Sequence, residues 1–108
     1  MANTFKLKTK ASVGITTTSV YVVPSSTTTV VIGITASNVS GNNINVGIGI
    51  TRASADDIHL MKNVPIPQGS SFEFMSGNKV VLETTDTITA KSDVASSLDV
   101  ALTIMDIT

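Results

Sequence analysis

Apolar and polar residues alternate along most of the chain, the pattern of strands that bury one face. Between Thr28 and Val39, Val30, Ile32, Ile34 and Ala36 occupy alternate positions and are predicted to face inward, with Gly33, Thr35 and Ser37 on the other side. Ile44, Val46, Ile48 and Ile50 repeat the pattern against Asn45, Gly47, Gly49 and Thr51. The link Ser40-Gly41-Asn42-Asn43 is turn chemistry, so the two segments read as a β-hairpin.

The same period places further strands on both sides of this pair. Phe5 and Leu7 alternate with Lys6, Lys8 and Lys10, and the run Ser19 to Val23 is stopped by Pro24, which has no N–H for a ladder. Ile58 and Leu60 alternate with His59 and Met61, Phe72 and Phe74 with Glu73 and Met75, and Val80 and Leu82 with Val81 and Glu83. Pro65 and Pro67 argue against a central strand over 64–69, and Ser76-Gly77-Asn78 reads as a tight turn. Ile88 and Ala90 face inward, as do Leu98, Val100, Leu102 and Ile104. The stretches 53–57 and 93–97 are too short to nucleate helices and read as loops.

About eight or nine short strands with regular turn signals predict an all-β fold, an antiparallel β-sandwich of jelly-roll or Ig-like type. Phe5, Phe72, Phe74 and Tyr21 are its expected large core fillers. A chain of 108 residues has room for a single β-sandwich domain, with residues 1–12 as an extended N-terminal arm or an edge strand. With 42% hydrophobic and 14% charged residues it lies far from a disordered composition.

A net charge of −1 provides no field to hold a polyanion, so no nucleic-acid partner is expected. The opening Met-Ala-Asn-Thr-Phe-Lys lacks a basic stretch followed by an apolar run, and no membrane segment is expected. The chain has no cysteine and one histidine, His59, too few N/S ligands for a zinc site and no partner set for a Ser/His triad. Asp56-Asp57 and Glu83/Asp86 lack the spacing of a Ca²⁺ loop, and Glu83 and Asp86 suit hydrogen bonds to turn amides instead. No cofactor, no metal and no catalysis are therefore expected.

Several residues carry candidate contact chemistry. Lys6, Lys8 and Lys10 share one face of an extended segment. They either protect an edge strand or dock an arm on an acidic neighbour. Gly47 and Gly49 leave a smooth strip for the close approach of another backbone, or allow strand curvature. Met105 and Ile107 lie opposite Leu102 and Ile104, so the last strand is apolar on both faces and is expected to meet a partner as well as the core.

The order and spacing of five pieces carry a resemblance: Val20-Tyr21-Val22-Val23-Pro24, Thr27 to Ile34, Pro65 to Ser71, Lys79 to Ile88, and Ala95 to Val100. Together they span most of the chain, which resembles small virion structural proteins of tailed bacteriophages, particularly marine ones. Related sequences often read Glu-Ala-Gly-Asp where this chain has Glu83-Thr84-Thr85-Asp86, a departure that bears on the turn geometry. The resemblance implies a virion location and a multi-copy capsid decoration subunit, or another particle-surface subunit. Its partners would be major capsid, neck or tail proteins and, as a homo-oligomer, its own copies. The alternatives are a tail, neck or fibre-associated component, or a small receptor- or carbohydrate-binding module, the last weakened by the absence of tryptophan and the single tyrosine.

Overall fold

A computed structural model describes residues 2–52, 55–74 and 79–108, without the side chain of Phe74. The expected turn over 76–78, the loop positions Ala53 and Ser54, Met75 and the core role of Phe74 lie outside the described residues. The strands are β1 (Asn3–Val13), β2 (Thr18–Val22), β3 (Thr28–Asn38), β4 (Ile44–Thr51), β5 (Ile58–Ile66), β6 (Ser71–Phe74), β7 (Val80–Leu82), β8 (Thr87–Ser92) and β9 (Leu98–Ile107). A front sheet has the order β1-β9-β3, with β6 and β7 both pairing with β3 at its far edge. A back sheet has the order β2-β8-β4-β5, and all pairings are antiparallel.

With β6 and β7 sharing one edge position, each sheet has four positions and most connections cross between sheets, which is the topology of a jelly roll. The core between the sheets is aliphatic. Val31, Ile34, Ile48, Ile66, Leu82, Ile88, Leu98, Leu102 and Ile104 are all buried in it. The alternation of β4, β8 and β9 is as the sequence predicts, because β4 and β8 pair with each other without a slip and the extra residues of the other pairings lie in β1, β2, β3 and β5.

The expected hairpin of β3 and β4 does not form. β3 lies in the front sheet and β4 in the back sheet, and residues 39–43 carry the chain across the sandwich. Buried Asn38 holds this crossing. Its Nδ2 donates to the carbonyls of Asn42 (2.7 Å) and Ile66 (3.0 Å), and its Oδ1 accepts from the amide and hydroxyl of Ser40. Turn chemistry was legible there, but its direction depends on these side-chain bonds.

Two inward assignments also invert. β3 carries a bulge between Val31 and Gly33, so Val31 fills the core while Val30 and Ile32 stand on the outer side, and the expected phase returns only from Ile34 onward. β5 slips twice against β4, so Met61 enters the core and Ile58 is exposed. Pro65 is tolerated because β5 is an edge strand.

The turn Glu83-Thr84-Thr85-Asp86 closes with an Asp86 amide to Glu83 carbonyl bond of 3.0 Å, and Thr85 has φ of +71°. This is the pattern of a type II turn, whose third residue favours glycine. The chain ends also meet: the amide of Ala2 donates to the carbonyl of Thr108 at 3.1 Å, and the amide of Thr108 to the carbonyl of Ala2 at 2.9 Å.

Candidate functional site

β1 is an edge strand whose phase is opposite to a core strand's. Phe5 and Leu7, expected in the core, are 70% and 66% exposed, and the lysines lie on the side turned toward the back sheet. The cause is Asp106. It continues the inward positions of β9 after Leu98, Val100, Leu102 and Ile104, so strand geometry buries a carboxylate beside the first sheet edge.

A buried carboxylate must find donors. Asp106 finds three: the Lys6 ammonium at 2.9 Å and the Tyr21 hydroxyl at 2.7 Å on Oδ2, and the Thr29 hydroxyl at 2.7 Å on Oδ1. One side chain thus ties β1, β2, β3 and β9 together. Burial works against the charge of Asp106, but the hydrogen bonds from Thr29, Tyr21 and Lys6 and the charge of Lys6 outweigh it, holding the carboxyl below its usual range. The Tyr21 hydroxyl is pushed up to about 12, by burial first and then by its bond to the Asp106 carboxylate. The Lys8 ammonium lies 5.5 Å from the centroid of the Tyr21 ring. Lys10 is exposed near the far end of the strand.

With lysines on the inner side, the outer face of the front sheet becomes apolar. The ladder aligns Phe5 with Met105, Met105 with Val30, and Val30 with Val81, which is 60% exposed. Leu7 and Ile107 flank this row, and half-buried Ile32 adjoins it. The expected outer position of Met105 and Ile107 is therefore what the structure shows. Phe5 and Leu7 were not expected there, whereas Val81 is on the outer side that its alternation with Val80 and Leu82 assigns it. The inward parity of Asp106 was the signal that could have found Phe5 and Leu7, since a buried acid on β9 requires a cation from the adjacent strand.

Toward the other end of the same face Thr9, Ala101, Thr35 and Ser37 line a shallow hollow of about 190 Å³, with the charged Lys10 and Asp99 also on its walls. Apart from Asp99 at the far end, the outward positions of β1, β9 and β3 carry no charge. An exposed, contiguous apolar patch of this kind marks a contact surface in soluble proteins.

Gly47 and Gly49 lie on the outer face of the back sheet, away from the front-sheet patch, and floor a groove of about 390 Å³ with His59, Lys62, Thr89 and Lys91 at its sides. Their roles separate. A Cβ on Gly49 would lie 2.9 Å from the carbonyl oxygen of Ile58, where slipped β5 rides over β4, so this glycine is required by the strand pairing. A Cβ on Gly47 would meet only the Met61 carbonyl, at an ordinary 3.6 Å.

Asp86 accepts the Glu83 amide at 2.9 Å and Arg52 Nε at 3.2 Å, the turn-amide role expected for it. Asp57 accepts the Arg52 amide. Among the described residues no group of three or more His, Cys, Asp or Glu side chains is placed to hold a metal ion.

No family model and no curated protein matches the chain. Among solved structures, it is similar to a subunit described with Bacillus endospore appendages that form a novel family of disulfide-linked pili. The TM-score is 0.60 at 14% identity, over 99% of this chain and 87% of that one. This likeness extends to the fold, an all-β sandwich, and at that identity to nothing finer.

Proposed function

We propose that the chain is a structural subunit of a tailed-phage virion, present in many copies and acting through protein contacts rather than catalysis. Capsid decoration is the preferred position, and a tail, neck or fibre position would use the same contact surface. The observation that carries the reading is the apolar outer face of the front sheet, with Phe5, Leu7 and Val81 largely exposed on it and charge confined to its margins at Asp99 and Glu73. A free monomer gains nothing from holding such side chains in water, whereas a subunit gains by covering them. The likeness to a pilus subunit supports a multi-copy assembly in general terms. Without cysteine, any such assembly by this chain would not use disulfide links.

Mass spectrometry of particles purified from a lysate that produces this chain should find it in many copies per particle. Its absence from intact particles would refute the reading. The groove over Gly47, with Asn45, His59, Lys62 and Lys91 at its sides, favours a second reading, a small receptor- or carbohydrate-binding module. A glycan array would support that one by specific binding that a Gly47→Val variant loses.

A further inference from the structure

We infer that the outer face of the front sheet is covered by the same face of a second copy of this chain, the two related by a two-fold axis through Thr103. The inference rests on the structural-subunit reading above and names the partner of that surface.

Three properties of the face select a second copy. The first is area. β1, β9 and β3 have 11, 10 and 11 residues, and with a fourth strand position beside them the face measures roughly 35 by 19 Å at ~3.4 Å per residue and ~4.8 Å per strand. That is roughly 650 Å² before side-chain relief is counted, close to the ~800 Å² per partner of a stable interface.

The second property is charge. A surface that meets itself can bring a charge toward its like; the outward charges here, Asp99 on β9 and Glu73 on β6, lie at the margins, and the two-fold described below sets them over Ile107 and Val81 of the other copy rather than over each other. A partner of different sequence would place no such demand.

The third is shape. An isologous contact needs projections and their receptors on one face. Here the projections Phe5 and Met105 lie two residues to one side of the row Leu7–Thr103–Gly33, and the hollow at Thr9, Ala101 and Thr35 lies two residues to the other side. A two-fold axis along that row, in the plane of contact, runs the strands of the copies antiparallel and lays Phe5 and Met105 of each over Thr9 and Ala101 of the other. The hollow of about 190 Å³ is open and has Lys10 and Asp99 in its lining, so it would receive the edge of the Phe5 ring rather than enclose it. Exposed Thr103 and Gly33, where an added Cβ would meet nothing within 4 Å, keep the axis row low enough for the faces to close.

The absence of cysteine makes the test clean. Packed sheets lie ~10 Å apart, so a Thr103→Cys variant treated with a thiol-to-thiol crosslinker of about that span should become a covalent dimer. Thr89→Cys, on the back sheet, should stay single. Sedimentation velocity should give a dimer for the unaltered chain and a monomer for Thr103→Lys, which sets two ammonium groups at the axis. Circular dichroism should show Thr103→Lys still folded, as its position is exposed. An unaltered chain that sediments as a monomer overturns the inference, as does a dimer that Thr103→Lys leaves intact or that crosslinks equally through position 89. A monomeric chain still found in purified particles would overturn the two-fold contact alone, and a dimer absent from particles would overturn the virion reading alone.

Discussion

Thr85→Gly should stabilise the protein by about 1 kcal/mol. Thr85 is the third residue of the turn Glu83-Thr84-Thr85-Asp86, at φ of +71°. Holding a residue with a Cβ in the left-handed region costs roughly 1–2 kcal/mol, and β-branching places threonine toward the upper end. Glycine removes that cost but gives the unfolded chain more freedom, a loss of about 0.4–1 kcal/mol. The difference favours glycine because little else is lost: Thr85 is exposed, and its turn bonds, its amide to the Val23 carbonyl and its carbonyl to the Thr87 hydroxyl, belong to the backbone.

Urea titration followed by circular dichroism should show a higher midpoint with an unchanged slope, and melting should rise by about 4–8 °C per kcal/mol for a domain of this size. Thr84→Gly is the control. Thr84 has no positive φ, and its hydroxyl donates to the Thr27 carbonyl at 3.0 Å, so that change should destabilise by about 1–2 kcal/mol. Were Thr85→Gly neutral or destabilising, the assignment of strain to this turn would be wrong.

Asp106→Ala should cost about 3–5 kcal/mol in the same titration, since it strands the buried Tyr21 and Thr29 hydroxyls, while Lys6 regains water; a loss below about 1 kcal/mol would exclude Asp106 as the tie of β1. Gly49→Ala should destabilise by about 1–3 kcal/mol because the Ile58 carbonyl must move, whereas Gly47→Ala should lie within about 1 kcal/mol of the unaltered chain. Equal costs at the two positions would reject the close approach of β5. The pH dependence follows from the same network. The lowered carboxyl of Asp106 contributes stability above the unfolded value of 3.8 that is lost as pH falls through its folded value, and the raised hydroxyl of Tyr21 contributes stability below 10.0 that is lost as pH rises through about 12. Urea midpoints from pH 2 to 12 should therefore fall at both ends, and in Tyr21→Phe the alkaline decline should shrink.

The sandwich was legible where a strand carries no inserted residue of its own, as in β4, β8 and β9. It misled wherever a single residue was inserted. At Ile32 the bulge exchanged the faces of Val30 and Val31, and in β5 the two slips brought Met61 inward. Neither insertion leaves a mark in the composition of the segment. The β3–β4 link reads as a turn in either arrangement, and only the bonds of Asn38 to Asn42 and Ile66 decide that it spans the sheets.

The apolar outer face was half legible. Parity alone placed Met105 and Ile107 outward. Phe5 and Leu7 looked like core because a Phe-Lys-Leu-Lys alternation carries no sign of which side is inside. That sign lay about 100 residues downstream in Asp106, and Gly49 likewise depends on where another strand's carbonyl passes.

Because Ala2 and Thr108 are hydrogen-bonded neighbours, the order of strands along the chain is separable from their order in space. A short turn joining the two ends would make β9 and β1 a hairpin, and new ends opened in an exposed link such as 95–96 would leave every ladder intact. Such a circular permutant should reach the same sandwich by a different folding route, with β1 and β9 adjacent in sequence. The same geometry brings anything fused to either end out at one corner, at the edge of the apolar face. A bulky fusion at either terminus would therefore act as a steric probe of that face while the core stays untouched.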